Sequence, residues 1–237
     1  MNPFADSVLL ALHLITNADA SLLRIVGLSL RVSTTACAIG AILGISLGMW
    51  LAIARVPLRH GVVWAVNTLL ALPSVVVGLI VYLLLSHSGP LGSFGILFTP
   101  AAMIVAQSIL VVPLFAALSR RLLIDGLREG GDQLRSLGAN PLQSALLMLV
   151  HERFGLLTIL LTGFGRAVSE VGAVMVVGGN IEGFTRVMTT AIALETSKGD
   201  LPLALALGIV LLSVVGAVNL LIGLMQQRSP VAREAFA

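Results

Sequence analysis

Apolar residues gather in long runs, and the polar positions collect between those runs rather than alternating with them. Five runs reach the roughly twenty helical residues needed to cross a bilayer core: 32–54, 62–85, 100–118, 156–177 and 201–224. A sixth, 8–15, is too short to cross and is expected at the membrane interface. Each long run is expected to be a helix, because a bilayer offers no partner for unpaired backbone groups. Pro73 is a kink candidate in the second run, which also holds Asn67, and the third contains Gln107 and Pro113. Residues 86–95 form a turn-rich loop. The longest polar interval is 120–154. The pattern predicts an all-α membrane protein of about five transmembrane helices. An interfacial segment (1–23) precedes the membrane domain (24–225), and a polar tail (226–237) follows it.

Composition agrees with that pattern. Hydrophobic residues make up 57% of the 237 and charged residues 11%, against about a quarter charged in a soluble domain. The single Cys37 excludes an intrachain disulfide framework and a multi-cysteine metal site. His13, His60, His87 and His151 are scattered without ligand spacing, so no metal is expected. The first seven residues lack a basic stretch, and no cleavable leader is expected. A net charge of +3 could point to nucleic acid. The basic residues instead sit singly at the ends of apolar runs, and no nucleic-acid partner is expected.

Their distribution orients the bundle. Arg55, Arg59, Arg120, Arg121, Arg128, Arg135, Arg153, Arg228 and Arg233 fall on one side, and Arg24, Arg31, Arg186 and Lys198 on the other. With five spans, the N-terminus is expected outside, and the 120–154 interval and C-terminal tail in the cytoplasm.

Two stretches carry candidate chemistry. The first is DQLRSLGANP, residues 132–141. Asp132 is expected in the first turn of a short helix, where backbone N–H groups favour negative charge. Gly138 suits a left-handed C-terminal position, and Pro141 forbids simple continuation. A short helix should therefore stop abruptly and a new one begin. Such an element is either an ordinary amphipathic surface helix or a knob for a partner's groove.

The second is GFGRAVSEVGAVMVVGGN, residues 163–180. Arg166 and Glu170 are four apart and should share a helix face, which Ser169, Ala173 and Val177 extend. Gly165, Ser169 and Ala173 form a small-residue stripe suited to close helix contact. Counting from 156, Arg166 lies about 15 Å deep, where an unpaired charge costs about 2.5–3.5 kcal/mol. The pair is either a structural lock on helix register or part of a conduit. Because Glu170 largely cancels the field of Arg166, the conduit reading implies a weak, transient anion site. Beyond it, residues 178–200 form an outer loop with an amphipathic helix expected over 185–195, Val187 and Ile192 facing inward.

Together these residues resemble the permease subunits of molybdate, sulfate and tungstate ABC importers. Asp132, Gln133 and Leu134 stand where that family has Glu-Ala-Ala, and Leu137, Gly138 and Ala139 match its Leu-Gly-Ala. Arg166, Ala167, Glu170, Gly172, Ala173, Gly179, Asn180 and Ile181 follow its later pattern. The wording of 163–181, followed by TRVMTTAIALETSKGD, is most similar to tungstate-type permeases. The likeness covers about 22–224. One departure is MLVHERFG (148–155) where the family has Leu-Pro after the coupling glycine.

The resemblance implies a type I importer bundle acting as a homodimer. Asp132, Leu137, Gly138 and Ala139 would couple to a separate ATP-binding subunit that holds ATP and magnesium. Arg166, Ser169 and Glu170 would border the path. Asn180, Thr185 and Arg186 would lie in a periplasmic loop receiving an oxyanion, tungstate or molybdate, from a binding protein. This chain has no Gly-x4-Gly-Lys-Ser/Thr loop, so the energy must come from a partner. No cofactor is expected in the chain itself. A permease for another anion such as sulfate is the alternative, and an intramembrane enzyme is weaker still, since no nucleophile–base pair is evident. A membrane scaffold would leave the mid-membrane charges unexplained.

Overall fold

The computed structural model describes residues 3–16, 20–54 and 57–227. Arg55, Arg228 and Arg233, used above for orientation, lie outside the described residues, as does most of the tail. Among the described residues all regular structure is helical: α1 (Pro3–Thr16), α2 (Ala20–Ile53), α3 (Arg59–Leu70), α4 (Ser74–Leu85), α5 (Pro100–Ser136), α6 (Pro141–His151), α7 (Arg153–Val168), α8 (Gly172–Gly178), α9 (Met188–Lys198) and α10 (Leu201–Gln227). Three of these (α2, α5 and α10) are long and apolar enough to cross a membrane, and the bent pairs α3–α4 and α6–α7 raise the number to as many as five.

The helices differ from the sequence expectation in four places. Arg24 and Arg31 do not precede the first span but ride inside α2, which at 34 residues is about 51 Å long and outreaches the hydrocarbon core. The second run is two helices meeting at 103°, not one kinked span. Pro73 is extended, with ψ 128°, and its fixed ring and missing N–H end one helix and open the next. The third run continues without interruption from Pro100 to Ser136. The fourth is broken at 169–171, so Glu170 lies outside regular helix and no continuous Gly165–Ser169–Ala173 contact stripe exists.

The chain forms two compact units. The first comprises residues up to Arg31 and from Gly179 onward. Here α1 packs on α10, and Ala11, Leu22, Met188, Ala191, Ala206, Leu207 and Val210 form the core. Gly199, at φ +83°, ends α9, and Asp200 accepts the Leu203 N–H at 3.1 Å to open α10.

The second unit, Val32–Gly178, is built on close helix crossings. On α2, Gly40, Gly44 and Gly48 recur every four residues against α5. A Cβ at Gly44 would stand 2.5 Å from Phe115 Cβ and 2.6 Å from the Val112 carbonyl. Membrane helices associate through this kind of packing, since lipid supplies no hydrophobic drive between them. At Gly78, α4 meets α8 so closely that a Cβ would lie 2.7 Å from Ala173 Cα. That crossing brings the 71–73 and 169–171 breaks together.

Candidate functional site

At the α7–α8 break, α7 closes with Ser169 N–H donating to the Gly165 carbonyl and Glu170 N–H to that of Ala167. The Ala167 carbonyl also accepts the Gln107 side-chain amide of α5 at 3.0 Å. This buried glutamine partly replaces the helix bonds that the break removes. Glu170 then turns inward and is 3% exposed. One of its oxygens accepts the Arg166 guanidinium at 2.6 Å, and the other accepts the Ala173 N–H at 3.0 Å. The Ser74 hydroxyl, from the first turn of α4, donates to the same carboxylate.

Three donors from three elements therefore hold one buried carboxylate, which is what a buried charge needs. The Arg166 side chain is 41% exposed, and one Nη makes its bond to Glu170. The pair is unequal: Glu170 is locked into the packing, while Arg166 faces outward with donors to spare. Ser169 is exposed and returns its hydroxyl to the Arg166 carbonyl at 3.2 Å.

The second cluster is the turn after α5. Asp132 does not open a short helix. It lies near the C-terminal end of the 37-residue α5, where its charge opposes the helix dipole and is offset by Arg135 at 3.1 Å. The predicted stop is present. Gly138, at φ +87°, donates to the Arg135 carbonyl at 2.9 Å, and Ala139 to that of Leu134 at 3.0 Å. These are the two bonds of a Schellman ending. Asn140 and Gln143 then exchange side-chain-to-backbone bonds of 2.9 Å each, a capping box that starts α6 with Pro141 at its first position. Leu137 projects from this rigid corner at 83% exposure, beside a groove of about 630 Å³ lined by Leu134, Ala139, Leu146 and Leu147.

In the outer loop, Asn180 takes φ +50° and donates to the Thr190 carbonyl at 3.3 Å. Thr185, fully buried, accepts the Ile181 N–H at 2.9 Å and closes a tight turn. Both shape the loop. Arg186 pairs with Glu182 at 3.4 Å. The helix expected over 185–195 runs over Met188–Lys198, with Val187 and Ile192 facing the core as anticipated.

No protein-family model matches the chain. Individual relatives do. The tungstate uptake system permease protein TupB of Peptoclostridium acidaminophilum is 42% identical over 231 residues, covering 96% of this chain and all of the relative. The TupB of Campylobacter jejuni is 38% identical over 209 residues, 88% of this chain and 87% of its own. A probable anion ABC transporter permease protein of Haloferax volcanii is 41% identical over 214 residues, 88% and 92%. The chain belongs to the tungstate-type family of ABC-transporter permeases.

As a member of that family, this permease is a multi-pass membrane protein and a non-catalytic subunit of its transporter. The candidate residues of the sequence fall in three places. Two supporting groups carry no mark of their role in the sequence: Gln107 reads only as a polar residue in a span, and Ser74 as an ordinary small residue after Pro73. Only the crossing of α4, α5 and α7–α8 shows that they hold the break. Asn140–Pro141–Leu142–Gln143, by contrast, is a capping signature readable from spacing alone.

Proposed function

We propose that this permease conducts a tetrahedral oxyanion, tungstate foremost and molybdate next, into the cell. An exported binding protein delivers the ion, and a separate ATPase subunit holding ATP and magnesium drives the cycle. Two copies form the pathway, with the N-terminus outside and the coupling turn and tail in the cytoplasm. The observation that carries the reading is 42% identity, over 96% of this chain, to a tungstate uptake permease. The unequal Arg166–Glu170 pair supports it. A carboxylate fixed by Ser74 and Ala173 holds a half-exposed guanidinium at a double helix break, the kind of place where transporters handle ions. One partner is already neutralised, so the remaining donors can replace part of a passing ion's water without trapping it. Asp132, Leu137, Gly138 and Ala139 form the corner that meets the ATPase, with Leu137 as its apolar knob.

The test is reconstitution of permease, ATPase and binding protein in vesicles, with uptake of labelled tungstate, molybdate and sulfate measured in parallel. ATP-dependent tungstate uptake is expected. Uptake of sulfate alone would replace the substrate, and ATP-independent flux would remove the importer reading. A reporter fused after Arg233 should be active only as a cytoplasmic fusion.

A further inference from the structure

A cavity of about 410 Å³ in the first unit lies between the early turns of α2 and the 182–186 turn. It is lined by Arg24, Arg31 and Arg186, with Glu182 as the carboxylate among them. We infer that this cavity binds a tetrahedral oxyanion group. The group is supplied either by the cargo ion, which rests on the function proposed above, or by the phosphate of an anionic lipid headgroup.

Three observations lead there. Arg24 and Arg31 are seven residues apart, two helical turns, and so lie on one stripe of α2. Gly27 and Leu28 lie between them in the lining, and nothing stands within 4 Å of where a Gly27 Cβ would be. The floor between the two arginines is open.

The opposite wall is rigid. The Met188 N–H donates to Ser29 on α2 at 2.7 Å, a buried bond that pins the start of α9 to the arginine-bearing helix. The Arg186 N–H donates to the Ile181 carbonyl at 3.0 Å, in the turn that Thr185 closes. The backbone of Arg186 is thus fixed, and Glu182 holds one Nη of its guanidinium at 3.4 Å, so the planar donor fork is partly oriented before any ligand arrives.

Charge and hydrogen bonding both favour an anion. Among the described residues the lining carries the guanidinium groups of Arg24, Arg31 and Arg186 and the Glu182 carboxylate. Arg186 is 19% exposed and reaches Glu182 through one Nη, while its Nε is buried without a partner. A buried donor left unmatched is costly, and an oxyanion oxygen would match it. The cavity also leaves room for an ion that keeps part of its water.

The experiment uses the full-length permease in nanodiscs of phosphatidylcholine. Labelled tungstate, molybdate, sulfate and inorganic phosphate are titrated in turn. In a second arm the discs contain phosphatidylglycerol, and native mass spectrometry counts the lipid retained. Arg24→Gln, at an exposed position, leaves the fold intact, and Arg24→Gln with Arg186→Gln empties more of the site. Arg24→Lys with Arg186→Lys keeps the charge. Oxyanion binding weakened about tenfold in the double glutamine variant and less in the lysine variant assigns the cargo as occupant. Phosphatidylglycerol retained by the native protein and lost in the glutamine variants, with no free ion bound, assigns the lipid headgroup. Binding of neither, or binding that Arg24→Gln and the double variant leave unchanged, overturns the inference. A transporter that fails to take up tungstate while these binding arms succeed would instead overturn the proposed cargo.

Discussion

The turn after α5 and the double helix break are both places where a helix stops, yet they are built on opposite principles. At 137–140 the stop is local: Gly138, Asn140, Pro141 and Gln143 satisfy the helix ends within a few residues, and Leu137 is left exposed. At 169–171 the stop is held from a distance, by Gln107 on α5 and Ser74 on α4, around a carboxylate that solvent hardly reaches. The contrast separates two ways of stopping a helix. The exposed Leu137 sits on a corner whose bonds are local, an arrangement that suits the docking proposed for it. Glu170, a buried charge, needs donors from across its unit.

The comparison can be broken most severely at Glu170. Glu170→Ala removes the acceptor for three donors and should cost about 3 kcal/mol. The measurable consequence is loss of monodisperse, assembled protein after detergent extraction. Glu170→Gln, which keeps an acceptor, should be milder. Replacing the pair with Arg166→Met and Glu170→Leu should not fully restore assembly, since Ser74 and the Ala173 N–H would remain unmatched. Arg166→Gln alone should reduce tungstate uptake far more than it reduces yield. Equal loss of both would make Arg166 as structural as Glu170.

Next in size is Gly78→Val, which drives new atoms into Ala173 at the α4–α8 crossing. Overpacking of this kind costs about 1–3 kcal/mol, readable as a lowered melting temperature together with lost uptake. Gly138→Val meets no neighbour within 4 Å, but it forces a β-branched residue to φ +87°. It should cost about 1–2 kcal/mol locally, leave assembly intact and uncouple ATP hydrolysis from transport. Leu137→Asp should change stability by less than about 0.5 kcal/mol, as at an exposed position without partners. It should nevertheless abolish substrate-stimulated ATP hydrolysis in the reconstituted complex. Survival of that activity in both variants would leave the corner without its docking role and erase the contrast.

Whatever depends on neighbours a few residues away was legible in the sequence. Long apolar runs specify membrane helices because no other backbone arrangement is satisfied in lipid. Gly138 and Pro141 specify a stop, and the four-residue spacing of Arg166 and Glu170 specifies that they can meet. The rest follows from packing between distant segments. Pro73 gave no sign that the chain would turn by 103° rather than kink, because the angle depends on α4 packing against α8. The apolar run through 156–177 hid its own break, since hydropathy is indifferent to whether a carbonyl is paired by its own helix or by Gln107. Asp132 reads as a helix start only when the helix before it is assumed to end, and α5 does not end there. Arg24 and Arg186, far apart in sequence, face one cavity where Ser29 ties the start of α9 to α2. Patterns of period 3.6 record what one helix does alone, whereas breaks, buried charges and cavities are set by whichever distant donors the packing brings within about 3 Å.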